Sequence, residues 1–176
     1  METNQRHSAE PRIYVACLAA YSSGRLHGAW INADQKPASL QSEVSAMLKA
    51  SPMPGAEDFA IHDFEGFEGL HIEEFAGLEQ VAQLAAFICE HGRLGAEIYQ
   101  HFGNLDEAKE ALEDWYCGCF PSAADYVETL TAETGQIPEF VARYIDYEAM
   151  ALDAEMNGDF FTIETALDEV HVFSAR

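Results

Sequence analysis

An α+β fold follows from the way two hydrophobic periods alternate along the 176 residues. Short runs rich in β-branched and aromatic residues stand near both ends, at 13–19 and 160–163, while the middle repeats apolar residues every third or fourth position. Capping residues and Gly or Pro stops separate these stretches. The expected arrangement is an elongated chain of three small units. A polar tail, 1–10, precedes a small antiparallel sheet with one helix at 11–75. A helical middle follows at 76–112, then a second strand-helix unit at 113–176. An apolar content of 48% is enough for packed cores, although units this short bury only modest ones.

In chain order, 13–19 reads as a buried strand, 21–26 as a turn around Ser22-Ser23-Gly24, and 27–32 as the returning strand of a hairpin. Leu40, Val44, Met47 and Leu48 share one face of a helix over 37–50, which Pro52, Pro54 and Gly55 stop; 59–62 returns as a third strand. The stretch 63–75, DFEGFEGLHIEEF, mixes Gly, acids and aromatics and reads as an irregular connection. Leu78, Val81, Leu84, Ala85 and Ile88 mark a helix ending at His91-Gly92, and Leu94, Ile98 and Phe102 mark a second ending at Gly103. Asn104 caps the next helix, whose inner stripe is Leu105, Ala108, Leu112 and Trp115. Ser122 and Asp125 form a capping box for a helix bearing Val127 and Leu130, with Gly135 as a left-handed terminator. Pro138 opens a short helical turn. Asp146 caps a helix with Tyr147, Met150, Ala151 and Ala154 on its apolar stripe; Gly158 ends it, and 160–163 and 170–173 read as closing strands.

Charge is the strongest compositional signal. With 31 Asp and Glu against 9 Lys and Arg the formal net charge is −22. Residues 1–51 hold 4 acids and 5 bases, so the other 125 carry 27 acids and 4 bases. Self-repulsion on that scale disfavours the compact state, and the chain has no basic footprint for direct nucleic-acid binding. If that charge serves binding, the partner is basic; a merely solvated acidic surface is the other reading of the same composition, and the commoner one. Asp106, Glu110, Glu113 and Asp114 recur at three- and four-residue spacing with Lys109 as the one nearby base, an arrangement that costs a few tenths of a kcal/mol per pair and that folding does not require.

Catalytic machinery is thin. No phosphate-cradling glycine loop, nucleophile elbow or HExxH pair occurs, and with this many acids proximity alone singles out no acid-base couple. Residues 63–74 resemble a calcium loop superficially, but the fifth and sixth places hold Phe67 and Glu68 where an oxygen ligand and glycine are required. Cys17, Cys89, Cys117 and Cys119 have neither framework nor zinc spacing and are expected to remain thiols. No cofactor and no metal is expected. The longest apolar run, 13–21, is too short to span a bilayer and the N-terminus is polar, which points to a cytoplasmic protein with no membrane partner.

The wording of the C-terminal third is specific. Thr134-Gly135, Pro138, Tyr144-Ile145-Asp146-Tyr147-Glu148-Ala149, Asn157-Gly158-Asp159 and Phe161-Thr162-Ile163-Glu164 together resemble the antirestriction motif of the ArdA family of antirestriction proteins. RIYVACLAAYSSGRLHGAWI at 12–31 resembles that family's opening hairpin, and FAIHDFE at 59–65 its AIHDYE segment. These anchors span nearly the whole chain. Where the family pattern often has Arg-Asp, this chain has Leu152-Asp153, so a role for that arginine does not carry over. The resemblance implies an elongated, dimeric mimic of duplex DNA, carried by mobile elements, that inhibits type I restriction-modification enzymes at their methyltransferase and specificity subunits. On that reading the working surface is collective: Glu57, Asp58, Asp63, Glu65, Glu68, Glu73, Glu74, Glu79, Glu90, Glu97, Asp106, Glu107, Glu110, Glu113, Asp114, Asp125, Glu128 and Glu133. The antirestriction motif and dimer region would comprise Leu130, Gly135, Pro138, Tyr144, Asp146, Tyr147, Glu148, Asp153, Gly158 and Phe161. Two copies would carry the charge of roughly 75 Å of duplex, taking about one negative charge per 1.7 Å of axis.

Two other readings fit the residues. One is an acidic protein that binds some other basic partner, such as a DNA-binding regulator. The other is a metal-dependent hydrolase built on His62 and Asp63 with acids from elsewhere, which would need further ligands.

Overall fold

The structure, a computed structural model, describes residues 9–135 and 137–175. Gln136 and most of the expected polar tail lie outside the described residues. Both helices and strands are present in small sheets, and the fold is α+β. The chain divides into two compact units, Met1–Ala96 and Glu97–Arg176.

In the first unit, β1 (Arg12–Cys17), β2 (Gly28–Asn32) and β3 (Phe59–Glu65) form an antiparallel sheet in the order β2-β1-β3. Alternation drives Ile13, Val15 and Cys17 into the core, while Tyr14 pairs with Trp30 on the other face, the rings 5.6 Å apart. The expected hairpin is present, but its first strand ends at Cys17. Leu18–Ser22 forms a helical turn, α1, closed by Arg25 N–H donating to the Ala20 carbonyl. Ala and Leu favour that turn once Ala20 can be buried. The helix α2 (Pro37–Lys49) packs on β1 and β2 and buries Leu40, Val44 and Met47. The third strand runs three residues beyond the expected 59–62, and the Ile61 N–H donates to the Glu74 carbonyl as the chain returns alongside it.

The helix α3 (Leu78–Phe102) is two helices joined at Gly92, whose φ of 55° and ψ of −138° belong to no helix. A side-chain-bearing residue would be strained there, which is why the stop at His91-Gly92 was readable.

The second unit holds α4 (Leu105–Glu110), β4 (Tyr116–Phe120), α5 (Ala123–Thr134), α6 (Glu139–Ala142), α7 (Tyr147–Asn157), β5 (Phe160–Ala166) and β6 (Glu169–Ser174). Three caps form as expected. Asn104 Oδ1 accepts from the Asp106 and Glu107 N–H groups, Ser122 Oγ from Asp125 N–H, and Asp146 Oδ1 from Ala149 N–H. The sheet order is β4-β6-β5, so β4, which the sequence analysis did not anticipate, is an edge strand paired with β6. On one face Phe160 and Val172 pack against Val127 of α5 and Ala151 of α7, with Phe120, Tyr126 and Tyr147 around them.

Four local expectations are corrected. Residues Ala111–Trp115 form a π turn, which breaks the 3.6-residue period, so Ala108 and Ala111 are buried and Leu105, Leu112 and Trp115 only half-buried. Gly135 is extended, with φ −114° and ψ 141°, not left-handed, although its N–H does close the helix on the Thr131 carbonyl. Leu130 and Met150, placed on inner stripes by spacing, are 42% and 40% exposed. Gly158 does take the left-handed conformation, with φ 77°.

Candidate functional site

The acidic side chains stay in water. Of the 18 acids expected to form the working surface, 13 are exposed and Glu65, Glu68, Glu97, Glu107 and Asp125 are half-buried. None of the 30 described Asp and Glu is buried, as the cost of desolvating an unpaired carboxylate demands. Glu139, Asp159, Glu164, Asp168 and Glu169, left out of that surface by the sequence analysis, are equally exposed, and only their charge could have signalled them. The second unit holds 18 acids and 3 Lys or Arg, the first 13 and 6. Asp106, Glu110, Glu113 and Asp114 are all exposed on α4 and the π turn.

The motif residues are close in sequence but do not form one surface. Tyr144, between α6 and α7, is 80% exposed; Glu148 and Asp153 project from α7 into solvent. Pro138 precedes α6, and Asp146 and Gly158 bracket α7 as its caps. Tyr147 is half-buried in the α5–α7 core. Phe161 lies on the opposite face of the sheet, since it neighbours Phe160 in an alternating strand and pairs with Phe173. There it stacks between His101, 4.7 Å away at 2°, and Phe173, 5.0 Å away at 9°. Beside the motif stand exposed apolar side chains that were not among the expected site residues: Phe140 at 67%, Val141, Leu152 and Met156 at 77%. For Leu152 and Met156 the signal was the failure of α7 to keep its apolar residues on one stripe; Phe140 and Val141 lie on the four-residue α6, too short to show a period.

His62 and Asp63 carry local structural duties. His62 sits at the bulge between β1 and β3, its ring edge-on to Tyr21 at 4.8 Å and its Nε2 3.8 Å from Glu74 Oε1. Asp63 Oδ1 accepts the Phe64 N–H at 2.8 Å. Among the described residues no group of three or more His, Cys, Asp or Glu is gathered as metal ligands, and no helix is long and apolar enough to cross a membrane. All four cysteines are free thiols. Burial, then a hydrogen bond to the Asp34 carboxylate, pushes the Cys89 thiol up to about 11, which keeps it protonated and unreactive at neutral pH.

One polar network is built into the second sheet. His171 on β6 lies 2.8 Å through Nδ1 from the Tyr116 hydroxyl and 3.0 Å through Nε2 from Thr165 Oγ1. The Thr165 hydroxyl donates to Glu169 Oε2, so it accepts from Nε2–H, and Nδ1 accepts from Tyr116. Burial lowers the His171 pKa, with the Glu169 carboxylate opposing it more weakly. A histidine whose folded pKa is depressed stabilises the fold fully above its ordinary value near 6.5 and loses that contribution as pH falls through the folded value. Urea denaturation from pH 8 to pH 5 should therefore show the second unit weakening below about pH 6.5. His171→Gln should flatten that segment of the profile.

A family model for the antirestriction protein ArdA matches residues 13–169. No curated protein matches the chain. The match covers the first hairpin, the kinked helix, the acidic π turn and the whole of the motif, and so the chain belongs to the ArdA family of antirestriction proteins, whose counterparts are restriction-modification enzymes.

Proposed function

We propose that this protein inhibits type I restriction-modification enzymes by mimicking duplex DNA, its carboxylates occupying the basic groove of the methyltransferase and specificity subunits. The observation that carries the reading is that all 30 described acids keep contact with solvent while only nine Lys and Arg exist to balance them. DNA-binding grooves recognise charge density before chemistry, through release of condensed counterions, so closely spaced carboxylates satisfy much of what phosphates do. Restriction is blocked on this account, and modification with it, because both need the same groove. The three sequence segments 11–75, 76–112 and 113–176 would each supply part of the surface, and the site of action is the cytoplasm. The test is DNA cleavage and methylation by a purified type I enzyme in the presence of the protein. Inhibition of both near one dimer per enzyme supports the mimic. An unaffected type I enzyme beside an inhibited regulator or other basic protein would favour the alternative of a general acidic interaction protein.

The protein acts as a homodimer in this reading. Leu130, Phe140, Tyr144 and Met150, from α5, α6, the turn after α6 and α7, are large apolar side chains exposed to water and support an interface in the motif region. Tyr144→Asp combined with Met150→Asp is expected to raise the dimer dissociation constant at least about tenfold, read by sedimentation equilibrium.

A further inference from the structure

The end of β3 and the loop after it repeat one three-residue step, Phe64-Glu65-Gly66 and Phe67-Glu68-Gly69, and the structure treats the two copies differently. Gly66 and Gly69 both have positive φ, 78° and 89°, so each step turns the chain in the same sense. In the first step Glu65 is taken, because Arg12 Nε from the neighbouring strand donates to its carboxylate. In the second step Glu68 has no ion pair among the described residues. It is also held at φ 51°, a conformation that costs a non-glycine residue about 1 kcal/mol or more.

Between these steps residues 64–71 line a cavity of about 310 Å³. Its floor is fixed, with Phe67 and Leu70 only 2% and 7% exposed. Its wall is aromatic, the Phe64 ring standing edge-on to Phe67 at 6.3 Å and to His71 at 5.4 Å. The volume is at the lower limit for small-ligand sites, right for one long side chain and too small for a helix. An aromatic wall with a carboxylate on the rim suits a cation with a flat apolar body, and guanidinium is the biological group that combines both.

We propose that this cavity is a receptor for one arginine side chain of the basic enzyme that the protein inhibits, held by the carboxylate of Glu68 as Glu65 holds Arg12. The inference rests on the DNA-mimic reading and adds to it a point of specific contact within an otherwise collective surface. It predicts that half-buried Glu68 differs from the exposed acids, which at a solvated rim each contribute little.

Two experiments separate the site from the function. In the first, amide resonances of the full chain are followed by NMR while Nα-acetyl-arginine amide is added, with the uncharged Nα-acetyl-citrulline amide as control. Shifts concentrated in residues 64–71, absent with citrulline and lost in Glu68→Gln, are expected. Shifts spread evenly over the acids, or unchanged in Glu68→Gln, overturn the proposal. If arginine binds only after Arg6→Ala, the chain's own arginine is the occupant and the proposal also fails. In the second, Glu68→Gln and Glu79→Gln, equal in charge change, are compared for displacement of DNA from a type I methyltransferase. About tenfold weakening for the first and less than about threefold for the second is expected. Equal effects sink the arginine receptor while leaving the mimic intact; failure of the wild-type protein to displace DNA sinks the mimic, and the NMR titration still decides whether the cavity takes arginine.

Discussion

Phe173→Ala should remove most of the stability of the second unit, about 3–5 kcal/mol. The side chain is fully buried on the central strand of its sheet. It pairs with Tyr116 on one side and Phe161 on the other, with ring centroids 5.2 and 5.0 Å away. Truncation therefore opens a cavity where three strands meet and removes the support beneath the His101-Phe161 stack. Domains of this size have only about 5–15 kcal/mol in hand, and the repulsion among 18 acids in this unit leaves the margin small. The check is urea denaturation followed by Trp115 fluorescence in a Trp30→Phe background, since the chain has one tryptophan in each unit. Phe161→Ala, at a half-buried position on β5, should cost less. A change of under about 1 kcal/mol at Phe173 would contradict the packing described.

The second large effect is opposite in sign for stability and function. Converting Asp106, Glu110, Glu113 and Asp114 together to their amides should weaken displacement of DNA from a type I enzyme by about fourfold to about 800-fold. The estimate takes each solvated contact as about 0.2–1 kcal/mol, so any one change alone should cost less than about fivefold. The same four changes should raise resistance to urea, because they relieve like charges on neighbouring turns. A mimic stores repulsion in the free state and releases it against a basic groove. Loss of binding together with gain of stability is the signature of that exchange, whereas a variant that lost both would merely be misfolded.

What could be read from the residues alone was local. The caps at Asn104, Ser122 and Asp146, the break at Gly92 and the buried face Leu40-Val44-Met47 each depend on neighbours within a turn or two, and all appear in the structure. Strand β4 was illegible because YCGCF has no β-branched residue, carries a glycine at φ 131°, and gains its ladder only from β6, some fifty residues later. The π turn was hidden for a different reason, since a single inserted backbone step leaves no mark on composition. Gly135 shows that a glycine after a helix permits a left-handed residue without requiring one. For the candidate site, exposure of the acids was predictable because carboxylates resist burial. The cavity beside Glu68 was not, because it depends on the backbone turns at Gly66 and Gly69, both at positive φ.

The most direct test of the central claim is a competition in which the protein is added to a type I methyltransferase bound to labelled duplex, repeated at several salt concentrations. The account predicts displacement near stoichiometry, with an affinity that falls steeply as salt rises, since both ligands of the groove bind through the same counterion release. Absence of displacement at every salt concentration, or displacement indifferent to salt, would contradict it.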